Sequence, residues 1–160
     1  MTRKSKVVIA LVTALIGVVI VFSGVYWFTI GHTERVKDAM IGEARERLET
    51  EQAGVTVDRA TLYNGTEPYV VFENAENVLF VPVDEEQPIV VRDVTNVDLD
   101  QICNDSLAET GGTLVSCTYG FDERALVEVV TKANASYTYS YYTLQTGEFI
   151  RRVELTDASL

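Results

Sequence analysis

Histidine is nearly absent from this chain of 160 residues: His32 is the only one, and it sits beside a long apolar stretch. That excludes a Ser–His or Cys–His pair in the folded region, because no imidazole is there to activate a nucleophile. A zinc site of mixed Cys and His ligands is excluded for the same reason. Cysteine is almost as scarce, with Cys103 and Cys117 alone. No glycine-rich loop precedes a helix in a phosphate-cradling pattern. Neither a metal nor an organic cofactor is expected, and nothing among the residues assembles a catalytic centre. A paired-carboxylate hydrolase stays open as a third reading, since acids are abundant. In so acidic a chain some neighbour one another by chance.

Charge is missing altogether from residues 7–30, VVIALVTALIGVVIVFSGVYWFTI. As a helix this stretch would reach about 36 Å, enough for a hydrocarbon core of about 30 Å. Tyr26 and Trp27 stand at its end, where amphipathic rings favour the headgroup boundary. Arg3, Lys4 and Lys6 precede it without an acid, which orients residues 1–6 as a cytoplasmic tail. Val21 and Ser23 suit the small positions of a signal-peptidase cut, but the apolar run continues through Trp27. The expectation is an uncleaved single-pass anchor over 7–30, with the C-terminal part extracellular.

Beyond residue 30 stand all 24 acids and only ten of the 13 bases, a formal charge of −14. Such a surface repels phosphate backbones, which excludes nucleic acid as a partner. Acidity of this kind also serves solubility alone.

Residues 33–52 read as an amphipathic helix with Val36, Met40, Ala44 and Leu48 on one stripe. The period then becomes two. Strands are expected at 55–63, 69–72, 78–83 and 89–91, with Asn64-Gly65 as a two-residue hairpin turn of positive φ. Pro82 should end the third strand or lie on an edge. Thr95 with Asp98 resembles a capping box for a second helix carrying Leu99, Ile102, Cys103 and Leu107, ended by Gly111-Gly112. Four more strands follow at 114–119, 125–131, 137–144 and 149–155. Helix then strands, twice over, predicts an internal duplication of units over 31–94 and 95–160. Units of about 60 residues bury little of their surface, so each is expected to lean on the other.

Cys103 falls on the apolar face of the second helix and Cys117 on the next strand. They form either a disulfide, which export permits, or two buried free thiols. Tyr137, Tyr139 and Tyr141 share one strand face, with Tyr142 opposite. They are either a partner-contact surface or aromatic packing across strands beneath a helix.

The charged N-terminus, the apolar segment, the helix of Ala39 to Leu48, Tyr63-Asn64-Gly65 with Tyr69-Val70-Val71, and the closing Tyr139–Leu144 with Thr146-Gly147-Glu148-Phe149-Ile150-Arg151 resemble one family. It is the TseB-like (YpmB-like) family of Gram-positive bacteria. The resemblance implies an α+β fold, in which a transmembrane helix precedes two PepSY-like (cystatin-like) units, each a helix packed on an antiparallel sheet. It also implies regulation of cell wall elongation through contact with a penicillin-binding protein, and it supplies no catalytic residue. A surface PepSY-like module with peptidase-inhibitory or chaperone-like action is the alternative. The acidity, the two cysteines and the undistinctive segment Asp84 to Asp98 depart from the family pattern.

Overall fold

A computed structural model describes residues 15–19 and 33–156. The chain divides into two compact units, Met1–Met40 and Ile41–Leu160. In the first, residues 15–19 and 33–40 are helical. No helix among the described residues is long and apolar enough to cross a membrane. The transmembrane helix of the expected fold is therefore not seen, and most of the stretch 7–30 lies outside the described residues.

The second unit begins inside a helix, α1, that occupies residues 33–51. Two meanders follow. The first sheet runs β1 (Arg59–Asn64), β2 (Pro68–Glu73), β3 (Asn77–Pro82), β4 (Val90–Asp93), each strand beside the next. Helix α2 (Leu99–Thr110) leads into a second antiparallel sheet of β5 (Thr113–Asp122), β6 (Arg124–Ala133), β7 (Ser136–Thr143) and β8 (Phe149–Thr156). Strand β3 ends on Pro82, where an edge-seeking imino acid costs no ladder bond.

Alternation along β2 sends its side chains to two different interiors. Val70 and Phe72, with Leu79 and Val81 of β3, pack against Ala44 and Leu48 of α1. Arg47 holds that helix down by donating from Nη2 to the Gln87 carbonyl at 2.5 Å, in the loop between β3 and β4. Tyr69 and Val71, with Tyr63, Val78 and Phe80, enter a different core. This core also takes Tyr119, Leu126, Val127, Val129, Tyr142 and Leu144 from the second half of the chain. Phe121 of β5 lies 4.9 Å from the ring of Tyr69 and 5.3 Å from that of Phe80, centroid to centroid.

The expectation of two PepSY-like units, each a helix packed on its own sheet, is corrected here. Among the described residues the fold is two four-stranded antiparallel sheets with few helices, and one interior draws on both. Fully burying a side chain such as Phe80 contributes roughly 2–3 kcal/mol, and much of that burial comes from across the divide.

Two local expectations also change. The Asn64-Gly65 pair is not a two-residue turn: Asn64 pairs with Pro68, so residues 65–67 make the connection, and Asn64 does not have positive φ. Gly65 is needed for space, since a Cβ there would stand 2.6 Å from the Tyr63 ring and 3.2 Å from the Phe121 carbonyl. The second helix starts three residues later than the Thr95 cap. Asp98 is its N-cap, its carboxylate accepting from the Gln101 amide at 2.9 Å. Thr95 instead donates to Asp93, through its amide at 2.8 Å and its hydroxyl at 2.6 Å. Gly111 closes α2 at φ 71°, donating to the Leu107 carbonyl at 2.8 Å.

Candidate binding surface

The second sheet has two unlike faces, and its register assigns every side chain to one of them. Across β5, β6, β7 and β8, one rung joins Cys117, Val129, Ser140 and Arg152. This face carries α2. Cys103 of the helix is bonded to Cys117 of β5 with a Cα–Cα distance of 6.0 Å. Thr131 donates to Thr110 at 2.9 Å, and Arg152 reaches Glu109 at 2.8 Å and Ser140 at 2.9 Å. Tyr142 belongs to this side and is buried in the shared core.

The next rungs belong to the opposite face. Thr118, Glu128, Tyr141 and Arg151 form one; Ser116, Val130, Tyr139 and Val153 the second; Lys132, Tyr137 and Leu155 the third. Tyr137, Tyr139 and Tyr141 thus stand side by side, half-buried, on the face away from α2. They do not pack beneath that helix. Val153 and Leu155 beside them are 41% and 53% exposed.

Cations order the ends of the row. The Lys132 ammonium donates to the Tyr137 hydroxyl at 2.8 Å and lies 4.5 Å from its ring centroid. Arg151 stacks 4.7 Å from the Tyr141 centroid and pairs with Asp122 at 3.0 Å. Such contacts hold flat rings in place at low entropic cost.

Glu128 is a member of this face that no expectation from the sequence included. It interrupts the apolar run of β6 between Leu126-Val127 and Val129-Val130, and a lone acid in a buried strand was the available signal. Burial pushes its carboxyl pKa upward, while a hydrogen bond from Tyr141 holds it down in part. Tyr141 is in turn pushed up to about 12, chiefly by burial and then by the Glu128 charge. Tyr63 arrives from β1 and completes the group. Its phenol is raised by burial first and by Glu128 second. At neutral pH both phenols stay protonated, and Tyr141 donates to Glu128.

Among the described residues, clefts open elsewhere on this unit. One of about 350 Å³ is lined by Arg92, Arg124, Thr143, Gln145, Thr146 and Glu148 among others. Another of about 350 Å³ lies between the start of α2 and the β7–β8 turn. A third, about 410 Å³, holds Glu67, Asp122 and Glu123 around Tyr69, Gln87 and Phe121. Among the described residues no group of three or more His, Cys, Asp or Glu side chains is placed to hold a metal ion.

Two meandering sheets around one interior, with a helix stapled to the second, define a fold rather than an activity. The YpmB protein from Bacillus subtilis shares it: the two match with a TM-score of 0.61 at 18% identity, over 71% of this chain and 96% of that one. The chain accordingly has a YpmB-like fold. No family model matches the chain, and no curated protein matches it.

Proposed function

We propose that this chain is a binding protein that regulates cell wall elongation by contacting a penicillin-binding protein, acting outside the cell membrane. The observation that carries the binding reading is the row of Tyr137, Tyr139 and Tyr141, which lies on the face that α2 leaves bare, beside exposed Val153 and Leu155. Rigid tyrosine rings beside an ordered arginine are residue types enriched in protein interfaces. The YpmB-like fold and the short motifs noted in the sequence support the choice of partner. The placement rests on the charge-free stretch 7–30 and on Arg3, Lys4 and Lys6 before it. Action by contact, without catalysis, accords with a chain whose one histidine is His32.

Crosslinking in intact cells, followed by purification of the tagged full-length chain, tests this reading. A wall synthase should be recovered with the native protein and depleted with a Tyr137→Ala, Tyr139→Ala double variant. Recovery of no wall synthase, with normal growth and wall labelling after deletion, would falsify it.

A further inference from the structure

Strand β8 is the outer strand of its sheet, and among the described residues nothing pairs with its free side. Seven of its eight residues are exposed, including Phe149 at 54%, Val153 at 41% and Leu155 at 53%. An open edge is a row of unpaired N–H and C=O groups, usually blunted by shortness, proline, a bulge or charge. This one is eight residues long and contains no proline. Its register irregularity lies at one end, opposite Tyr141 and Tyr142, so the run from Arg151 to Thr156 is regular. Its charges are Arg151, Arg152 and Glu154.

We propose that β8 pairs antiparallel with β8 of a second copy of this chain, about a two-fold axis through Val153. A two-fold axis normal to the sheet keeps like faces together, so each residue meets one of the same face. Val153 then opposes Val153 of the second copy. Arg152 opposes Glu154 of the second copy, and Glu154 opposes its Arg152. Arg151 lies across from Leu155, and Ile150 across from Thr156. Neighbouring registers are worse. An axis at Arg151, Arg152 or Glu154 sets that charge against itself, and an axis at Leu155 leaves both arginines without an acid across the seam. Like charges directly opposite destabilise a strand pair and opposite charges stabilise it. Within the regular run from Arg151 to Thr156, the Val153 register alone gives two opposite-charge pairs and no like-charge one.

The groups needed for this pairing are available. The Glu154 side chain makes no hydrogen bond or ion pair among the described residues. Arg152 uses Nε on Ser140 and one donor of Nη2 on Glu109, and Tyr142 is a further hydrogen-bond partner, which leaves two of its five N–H donors for the seam. On the other face, the paired Val153 side chains bridge Tyr139 of one copy to Tyr139 of the other. The tyrosine rows become one surface of six rings. A single strand pair is a small interface, so the association is weak, micromolar or looser.

Cysteine scanning of the full-length chain tests the seam, because the native Cys103 and Cys117 are bonded to each other. Residues directly opposite across an antiparallel pair have Cβ atoms about 4.5–5.5 Å apart, close enough for a new bridge with small adjustment. Val153→Cys should give a disulfide-linked dimer under mild oxidation, at least fivefold more than Leu155→Cys, whose counterpart is Arg151. Separately, Glu154→Arg should weaken self-association at least tenfold in sedimentation equilibrium while the melting curve stays unchanged. A monomeric Val153→Cys protein, equal bridging at 153 and 155, or an association that Glu154→Arg leaves intact would each overturn the proposal. None of these measurements involves a wall synthase, so they stand or fall apart from the function proposed above.

Discussion

The ring of Tyr63, from β1, lies across the backbone of Gly120, in β5, so closely that a Cβ on the glycine would stand 2.4 Å from the ring carbon Cε2. One sheet thus keys into the other at a point where only a hydrogen fits. Gly120→Ala is expected to destabilise the second unit by about 1–3 kcal/mol, the usual cost of overpacking. The Tyr63→Ala, Gly120→Ala double variant should lose much less than the sum of the two single changes. Urea unfolding of the four proteins measures the coupling.

The Cys103–Cys117 bond closes a short loop, with a sequence separation of 14. In the chain-entropy model a loop of that size is worth about 3 kcal/mol. Cys103→Ser with Cys117→Ser should lower unfolding stability by about that amount, and reductant should do the same to the native protein. Denaturant melts with and without reductant provide the comparison.

Glu128 makes stability depend on pH. Its folded-state pKa is raised above the ordinary 4.5 by burial, so the native chain keeps this proton longer than the unfolded one. Stability should therefore fall as pH climbs from the ordinary carboxyl range through the raised value. Glu73 contributes with the same sign, since burial raises its pKa and Arg59 only partly opposes this. Glu128→Gln should flatten part of the decline and leave the Glu73 share. Thermal melts at half-unit steps between about pH 4 and pH 8, the span of a raised carboxyl titration, would show it; an unchanged slope would refute the assignment.

Asp98 caps α2 through the Gln101 amide. Asp98→Ala should cost about 1 kcal/mol, whereas Asp98→Asn should cost little because asparagine caps equally well. Thr95→Ala should not cost the helix a cap, because Thr95 bonds to Asp93 instead. Chemical denaturation of the three variants separates these outcomes.

Period-two alternation marked most strands to within a few residues, because a half-buried strand writes its face into its sequence. What covers a face is not written there. Tyr69, Val70, Val71 and Phe72 are all buried, and so continuous an apolar run signals cover on both sides. One side proved to be α1 and the other the second half of the chain. Thr95 and Asn64 misled for a shared reason. Capping and turn motifs are short, and a threonine three residues before an acid fits an Asx-type bend at Asp93 as well as a helix start. The tyrosine row was visible by spacing alone, but only the register shows which face α2 leaves bare.

The shared interior also governs how the molecule comes into being. A ribosome delivers β1 to β4 first, and at that stage Tyr69, Val71, Val78 and Phe80 have no second sheet to meet. The nascent half must hold a greasy flank bare until the residues from Tyr119 to Leu144 emerge, so slow synthesis or premature release favours clumping over folding.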